Sequence, residues 1–196
     1  MSPGGAIPSA HNGAPWDAIV LAGGRARRME SGDKLVLDVG GRSMLSRVVD
    51  AVAGAGRIVV VGPRRALDTS LEPLWCREQP EGSGPAAALR TGLDHISAEL
   101  VVVVAGDQPF VDGATIERLV GGVHEDGAVA VDRSLQPQWL CSAWRAGALR
   151  TAPLAPNESL RVALGQLRWR PLPVEERATF DCDTPEDLRR ARELAQ

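Results

Sequence analysis

Little in this sequence supports thiolate or disulfide chemistry. The three cysteines, Cys76, Cys141 and Cys182, are widely spaced and form no C-x-x-C pair, so neither a zinc site nor a disulfide framework is suggested, and a reducing, cytoplasmic setting is expected. Long apolar runs are missing too. The longest, Leu100 to Ala105, falls far short of the roughly 20 residues that span a bilayer, so no membrane role is expected. Positive charge is not in excess: the formal net charge is −3, which argues against bulk nucleic-acid binding and confines any basic patch to one locality. Met1 to Pro15 lacks a basic segment followed by an apolar core, so residues 1–15 read as a flexible leader rather than a secretory signal. Residues 16–196 are then of a length for one domain with a real core.

What the chain does have is concentrated in residues 18–34, AIVLAGGRARRMESGDK. Ala18 to Ala22 reads as a buried strand that breaks at Gly23-Gly24. Arg25, Arg27, Arg28 and Lys34 follow, opposed only by Glu30 and Asp33, so backbone N–H groups and four cations are offered to one locus. Either a polyphosphate cradle or an ordinary strand-to-helix turn with a solvated basic face has this composition. Neither G-x-x-x-x-G-K-S/T nor G-x-G-x-x-G is present.

Beyond this loop the chain alternates strands and helices. Val36 to Val39 reads as a short strand or extended loop, and Ser43 caps a helix whose Met44, Leu45, Val48, Val49 and Val52 share one face. Arg57 to Gly62 is a second buried strand, which makes the start of a right-handed βαβ crossover and a parallel sheet. Leu74 to Cys76 adds a brief strand, and Gly82-Ser83-Gly84 opens into a helix from Pro85 to Ile96, where a ligand could approach free N–H groups. Leu100 to Ala105 is the most apolar strand and belongs in the middle of the sheet; Asp107 at its carboxyl end is either a turn cap or a side chain projecting into the ligand crevice. A helix over Asp112 to His124, strands over Ala128 to Val131 and Trp139 to Trp144, an amphipathic stretch over Glu158 to Leu167 and a proline-containing edge strand over Arg168 to Val174 follow. Thr184, Pro185 and Asp187 make a helix start of capping-box type.

The spaced trio L-A-G-G-x-A-R-R-M-x-x-x-D-K, G-D-Q-P and D-C-D-T-P-E-D-L resembles the molybdenum cofactor guanylyltransferases and their MobA-like nucleotidyltransferase relatives, over about Asp17 to Leu194. The resemblance implies a three-layer α/β/α sandwich with a mostly parallel central sheet, a Rossmann-like nucleotidyltransferase. It implies that GMP passes from GTP to the terminal phosphate of molybdenum-molybdopterin with loss of pyrophosphate. The apo-molybdoenzyme or its chaperone is the further partner implied. Carried over residue by residue, the nucleotide is held by Leu21, Ala22, Gly23, Gly24, Arg28, Lys34, Glu78, Gly84, Pro85 and Asp107. Arg28, Lys34 and Asp107 act on the phosphates, and Mg²⁺ sits on Asp107 with Asp183 as second ligand. Glu78 stands where the family has the aspartate that accepts from the guanine donor edge, and Gln136-Pro137 resembles a dipeptide near the second substrate. Two departures, Glu30 in place of a glycine after the methionine and Gly62 in place of a polar residue, leave room for a non-catalytic nucleotide-binding relative. A transferase using CTP is the other alternative, although the Gly24 of L-A-G-G resembles the guanine-type loop. Glu30 is expected to point away from the nucleotide.

Overall fold

A computed structural model describes residues 14–23 and 33–196. Its centre is a five-stranded sheet of β1 (Trp16–Leu21), β2 (Ile58–Val61), β3 (Leu74–Cys76), β4 (Leu100–Ala105) and β6 (Pro137–Arg145), in the order β3-β2-β1-β4-β6. All neighbours are parallel except β4 and β6. The strands β5 (Gly127–Val131) and β7 (Trp169–Pro173) pair with each other in parallel, and β5 is tied to β6 where Arg145 N–H donates to Asp126 O and Asp132 N–H to Gln136 O.

The inner strands are apolar on both sides because both sides are covered. Ile19, Leu21, Val59, Val61, Val101 and Val103 face one layer, with α2 (Gly84–Leu93), α4 (Ala146–Thr151) and α5 (Leu160–Leu164). Ala18, Val20, Val60, Val102 and Val104 face the other, against α1 (Met44–Ala51) and α3 (Gly113–Gly121). The expected three-layer sandwich is therefore the observed fold. The last helix, α6 (Pro185–Leu194), packs separately with Val39, Met44, Phe110 and Cys182.

Several elements differ from expectation. Val36, expected to open a short strand or extended loop running to Val39, instead ends a single 3₁₀ turn over residues 34–36, because the Asp33 carboxylate accepts from Leu35 N–H; the extended loop starts at Leu37. The amphipathic stretch expected from Glu158 is helical only over Leu160–Leu164: Asn157 takes a left-handed conformation (φ 62°), and Ser159 caps the short helix. The helix expected to reach Ile96 stops at Leu93, and the one expected to reach His124 stops at Gly121. The six-residue α4 had no periodic pattern long enough to announce it.

Candidate active site

Every parallel strand of the main sheet ends on the same side, and the site is assembled from the loops that leave those ends. Leu21 and Gly23 come from β1, Glu78, Glu81 and Gly82 from the segment after β3, Gly84, Pro85 and Ala88 from the start of α2, and Ala105 and Asp107 from β4; together with Leu140 they line a cavity of about 470 Å³. Six of the residues named from sequence thus converge on one space: Leu21, Gly23, Glu78, Gly84, Pro85 and Asp107. Ala22 lies behind it, fully buried, with its N–H donating to Val61 O. Gly24, Arg28 and Glu30 lie outside the described residues.

The loop after β3 is shaped around Glu78. This side chain is buried, and its Oε1 accepts from Gly82 N–H at 3.0 Å. Its Oε2 is buried without a hydrogen-bond partner among the described residues. Gly82 (φ 79°) and Gly84 (φ 89°) supply the left-handed turns that bring this loop into α2, conformations in which a β-carbon is strained. Ser83 sends its hydroxyl to Pro80 O rather than capping the helix, so among the described residues the N-terminus of α2 has no side-chain cap. Half a hydrogen-bonded carboxylate beside an uncapped helix start is an incomplete structure. An orphaned buried acceptor costs about 1–3 kcal/mol unless something fills it.

At the other end of the cavity the Lys34 ammonium donates to Asp107 Oδ2 at 2.6 Å and to Asp183 Oδ1 at 2.8 Å. Burial works against the charge on Lys34, but attraction to the two carboxylates outweighs it and holds its pKa above the ordinary lysine value. Asp183 reaches this point because the cap of α6 belongs to another residue. Asp187 accepts from Thr184 N–H and hydroxyl, completing a capping box, and the Asp183 carboxylate is left for Lys34. Cys182 N–H donates to Asp107 O at 3.1 Å and ties the two carboxylate-bearing segments together. Asp181 next to them is pushed up to about 6, by desolvation first and then by Asp107, with the Gln108 amide and Lys34 pulling the other way. No group of three or more metal-binding side chains occurs among the described residues.

Sequence reasoning missed Arg65, whose segment offered no pattern. Its side chain is only 7% exposed; Nη1 donates to Ala22 O at 2.9 Å and to Pro63 O at 3.0 Å, and Nε pairs with Asp33. Arg65 therefore grips the chain both before and after residues 24–32. The glycine at 62 also has a structural reason. A β-carbon there would stand 2.5 Å from Ala22 O and 2.9 Å from Gly23 N, so the backbone leaving β1 can pass only over a bare glycine.

The cysteines take no part. Cys141 and Cys182 are buried with thiols pushed up to about 12, and half-buried Cys76 is pushed up to about 11, in each case chiefly by desolvation, so none is a thiolate nucleophile at neutral pH.

A crevice at the carboxyl ends of a parallel sheet, with an uncapped helix start at one side and paired carboxylates at the other, is a ligand site of an open α/β fold. Solved structures agree on the fold. A nucleotidyl transferase from Methanothermobacter superposes with TM-score 0.77 at 21% identity, over 93% of this chain and 98% of that one. The 2-C-methyl-D-erythritol 4-phosphate cytidylyltransferase of Thermus thermophilus gives 0.70 at 20% over 91% and 98%. The Mycobacterium tuberculosis protein Rv0371C in complex with manganese gives 0.72 at 22% over 91% and 98%. In sequence, residues 18–171 match the model of the MobA-like NTP transferase domain, and the chain belongs to that family. Among curated relatives it is 31% identical to the molybdenum cofactor guanylyltransferase of Rhodopseudomonas palustris over 91% of each chain. It is 30% identical to a probable molybdenum cofactor guanylyltransferase of Natronomonas pharaonis over 89% of this chain and 96% of that one. The bifunctional protein GlmU of Neisseria meningitidis is 33% identical over 62% of this chain, which spans only 28% of that larger protein.

Proposed function

We propose that this nucleotidyltransferase transfers GMP from GTP to the terminal phosphate of molybdenum-molybdopterin. The observation that carries the choice of base is the Oε2 of Glu78, a buried acceptor in the cavity wall with no partner among the described residues. Guanine presents N1–H and an exocyclic amine on one edge, the donors such an acceptor lacks. Cytosine has no matching pair of adjacent donors. The two full-length relatives named as guanylyltransferases support the same reading.

In the reaction an oxygen of the acceptor phosphate attacks the α-phosphorus, the new P–O bond forms, and the bond to the β-phosphate oxygen breaks with its electron pair leaving on pyrophosphate. A phosphate monoester is already ionised near neutral pH, so no general base is required. Mg²⁺ would be held by Asp107 and Asp183, a donor set that suits an ion normally bound by one or two carboxylates plus phosphate oxygens. Bound there, it would neutralise charge on the phosphate oxygens. Lys34, which meets the same two carboxylates, and Arg28 are the cations we assign to the transferred or leaving phosphates. Gly23 leaves space beside Glu78: a β-carbon there would lie 3.8 Å from Glu78 Oε1, at the margin of the base pocket.

The direct test supplies the protein with Mg²⁺, purified molybdenum-molybdopterin and each of GTP, CTP and UTP, and measures pyrophosphate release. Release with GTP only supports the reading. Release with CTP or UTP in preference to GTP overturns the base assignment, and release that does not depend on molybdopterin overturns the acceptor.

A further inference from the structure

Lys34 is the only lysine among the 22 lysine and arginine residues of the chain, and it stands where the two carboxylates of the site converge. The residue type matters. An ammonium is a compact point charge that two carboxylates can share from different sides, whereas guanidinium presents a planar fork suited to one of them. The Asp107 arm of the contact is sheltered, the Lys34 side chain being 15% exposed and that of Asp107 21%, so salt screens it less than a surface pair, while Asp183 approaches from the solvent side with its side chain 61% exposed. With Nζ 2.6 Å from Asp107 Oδ2 and 2.8 Å from Asp183 Oδ1, a divalent ion drawing on both oxygens would have to sit against the ammonium. Two cations cannot share that place. Free metal would therefore have to expel a charged group already matched to the site. A triphosphate gives the ammonium somewhere else to go.

We propose that Lys34 makes the site specific for metal arriving with a triphosphate over free metal, by holding the metal's place on Asp107 and Asp183 until phosphate oxygens draw it away. The proposal rests on the reading of Asp107 and Asp183 as the metal's carboxylates. It implies a reciprocal coupling: nucleotide raises metal affinity, and metal raises nucleotide affinity by the same factor, through a lysine that both must displace.

A single lysine makes this measurable without turnover. Protein labelled with ¹³C at lysine Cε should give one side-chain resonance. Mg²⁺ alone at millimolar concentration should leave it in place, and the α,β-methylene analogue of GTP should move it even without metal. In parallel, Mn²⁺ binding to the nucleotide-free protein, followed by electron paramagnetic resonance in 0.5 M KCl to screen through-space charge, should be at least tenfold tighter in Lys34→Met than in the wild type. The gain should vanish in Lys34→Met/Asp107→Asn. Equal Mn²⁺ affinity in wild type and Lys34→Met, or displacement of the lysine resonance by Mg²⁺ alone, overturns the proposal. The underlying site reading fails separately, if Asp107→Asn in the presence of the GTP analogue binds Mn²⁺ as the wild type does.

Discussion

Glu78→Gln should pull stability and specificity in opposite directions. In the free protein one oxygen of Glu78 accepts from Gly82 N–H, and the other is buried without a partner among the described residues. Glutamine keeps the size and, through its carbonyl oxygen, the bond from Gly82, while removing the buried carboxylate oxygen that has no partner among the described residues. Relief of about 1 kcal/mol is expected from that exchange, a rise in Tm of about 2–4 °C for a domain of this length. The effect on GTP has the other sign. The second terminal atom becomes an NH₂ donor facing the donor edge of guanine, so a hydrogen bond to a charged acceptor, about 1.5–3 kcal/mol, is lost, and kcat/KM for GTP should fall by roughly 10- to 150-fold. Competition between GTP and CTP in the same assay separates base reading from general damage, because only the ratio reports on Glu78. A folded Glu78→Gln protein with unchanged GTP preference would refute the argument. So would a drop in Tm of several degrees, which would mean that the carboxylate is a structural group and not an open acceptor.

Asp107→Ala and Lys34→Ala should each leave Tm within a few degrees but lower turnover about 100-fold or more, since both side chains end in the crevice rather than in a core cluster; full activity of folded Asp107→Ala protein would end its assignment to the metal. Gly62→Ser should destabilise by about 1–3 kcal/mol, read as a loss of several degrees in Tm, because the new β-carbon meets the Ala22–Gly23 backbone; a serine tolerated without loss would show that the close approach is not a constraint. Arg65→Met should raise KM for GTP several-fold more than it lowers kcat, through loss of the grip on Ala22 O and Asp33, and a change confined to kcat would contradict that role. Thr184→Ala should cost about 1 kcal/mol as loss of a helix cap. Burial pushes the pKa of Asp187 upward, but hydrogen bonds from Thr184 and Asp183 outweigh it and leave it below the ordinary value. Its share of stability is therefore complete above about pH 4 and lost as pH falls through the depressed pKa, and the Thr184→Ala deficit should shrink in acid melts.

The layered sheet was legible in the sequence because it depends on local rules: continuous apolar strands such as Leu100–Ala105 need cover on both faces, and helical spacing in residues 44–52 allows one buried face. The positions of the loops that line the cavity were legible for the same reason. Gly23, Gly84, Pro85 and Asp107 announce themselves by following a strand or opening a helix, and the capping box at Thr184 is written within four residues. What tertiary structure alone decided involves partners far apart in the chain. Nothing local says that Lys34, 73 residues from Asp107 and 149 from Asp183, bridges the two. No local pattern marks Arg65 as buried beneath Ala22 and Asp33, and Gly62 became intelligible only from the backbone that crosses it. That Glu78 Oε2 finds no partner among the described residues is likewise a fact of packing. Sequence names a carboxylate, but whether its lone pairs are already used depends on every group folded around it.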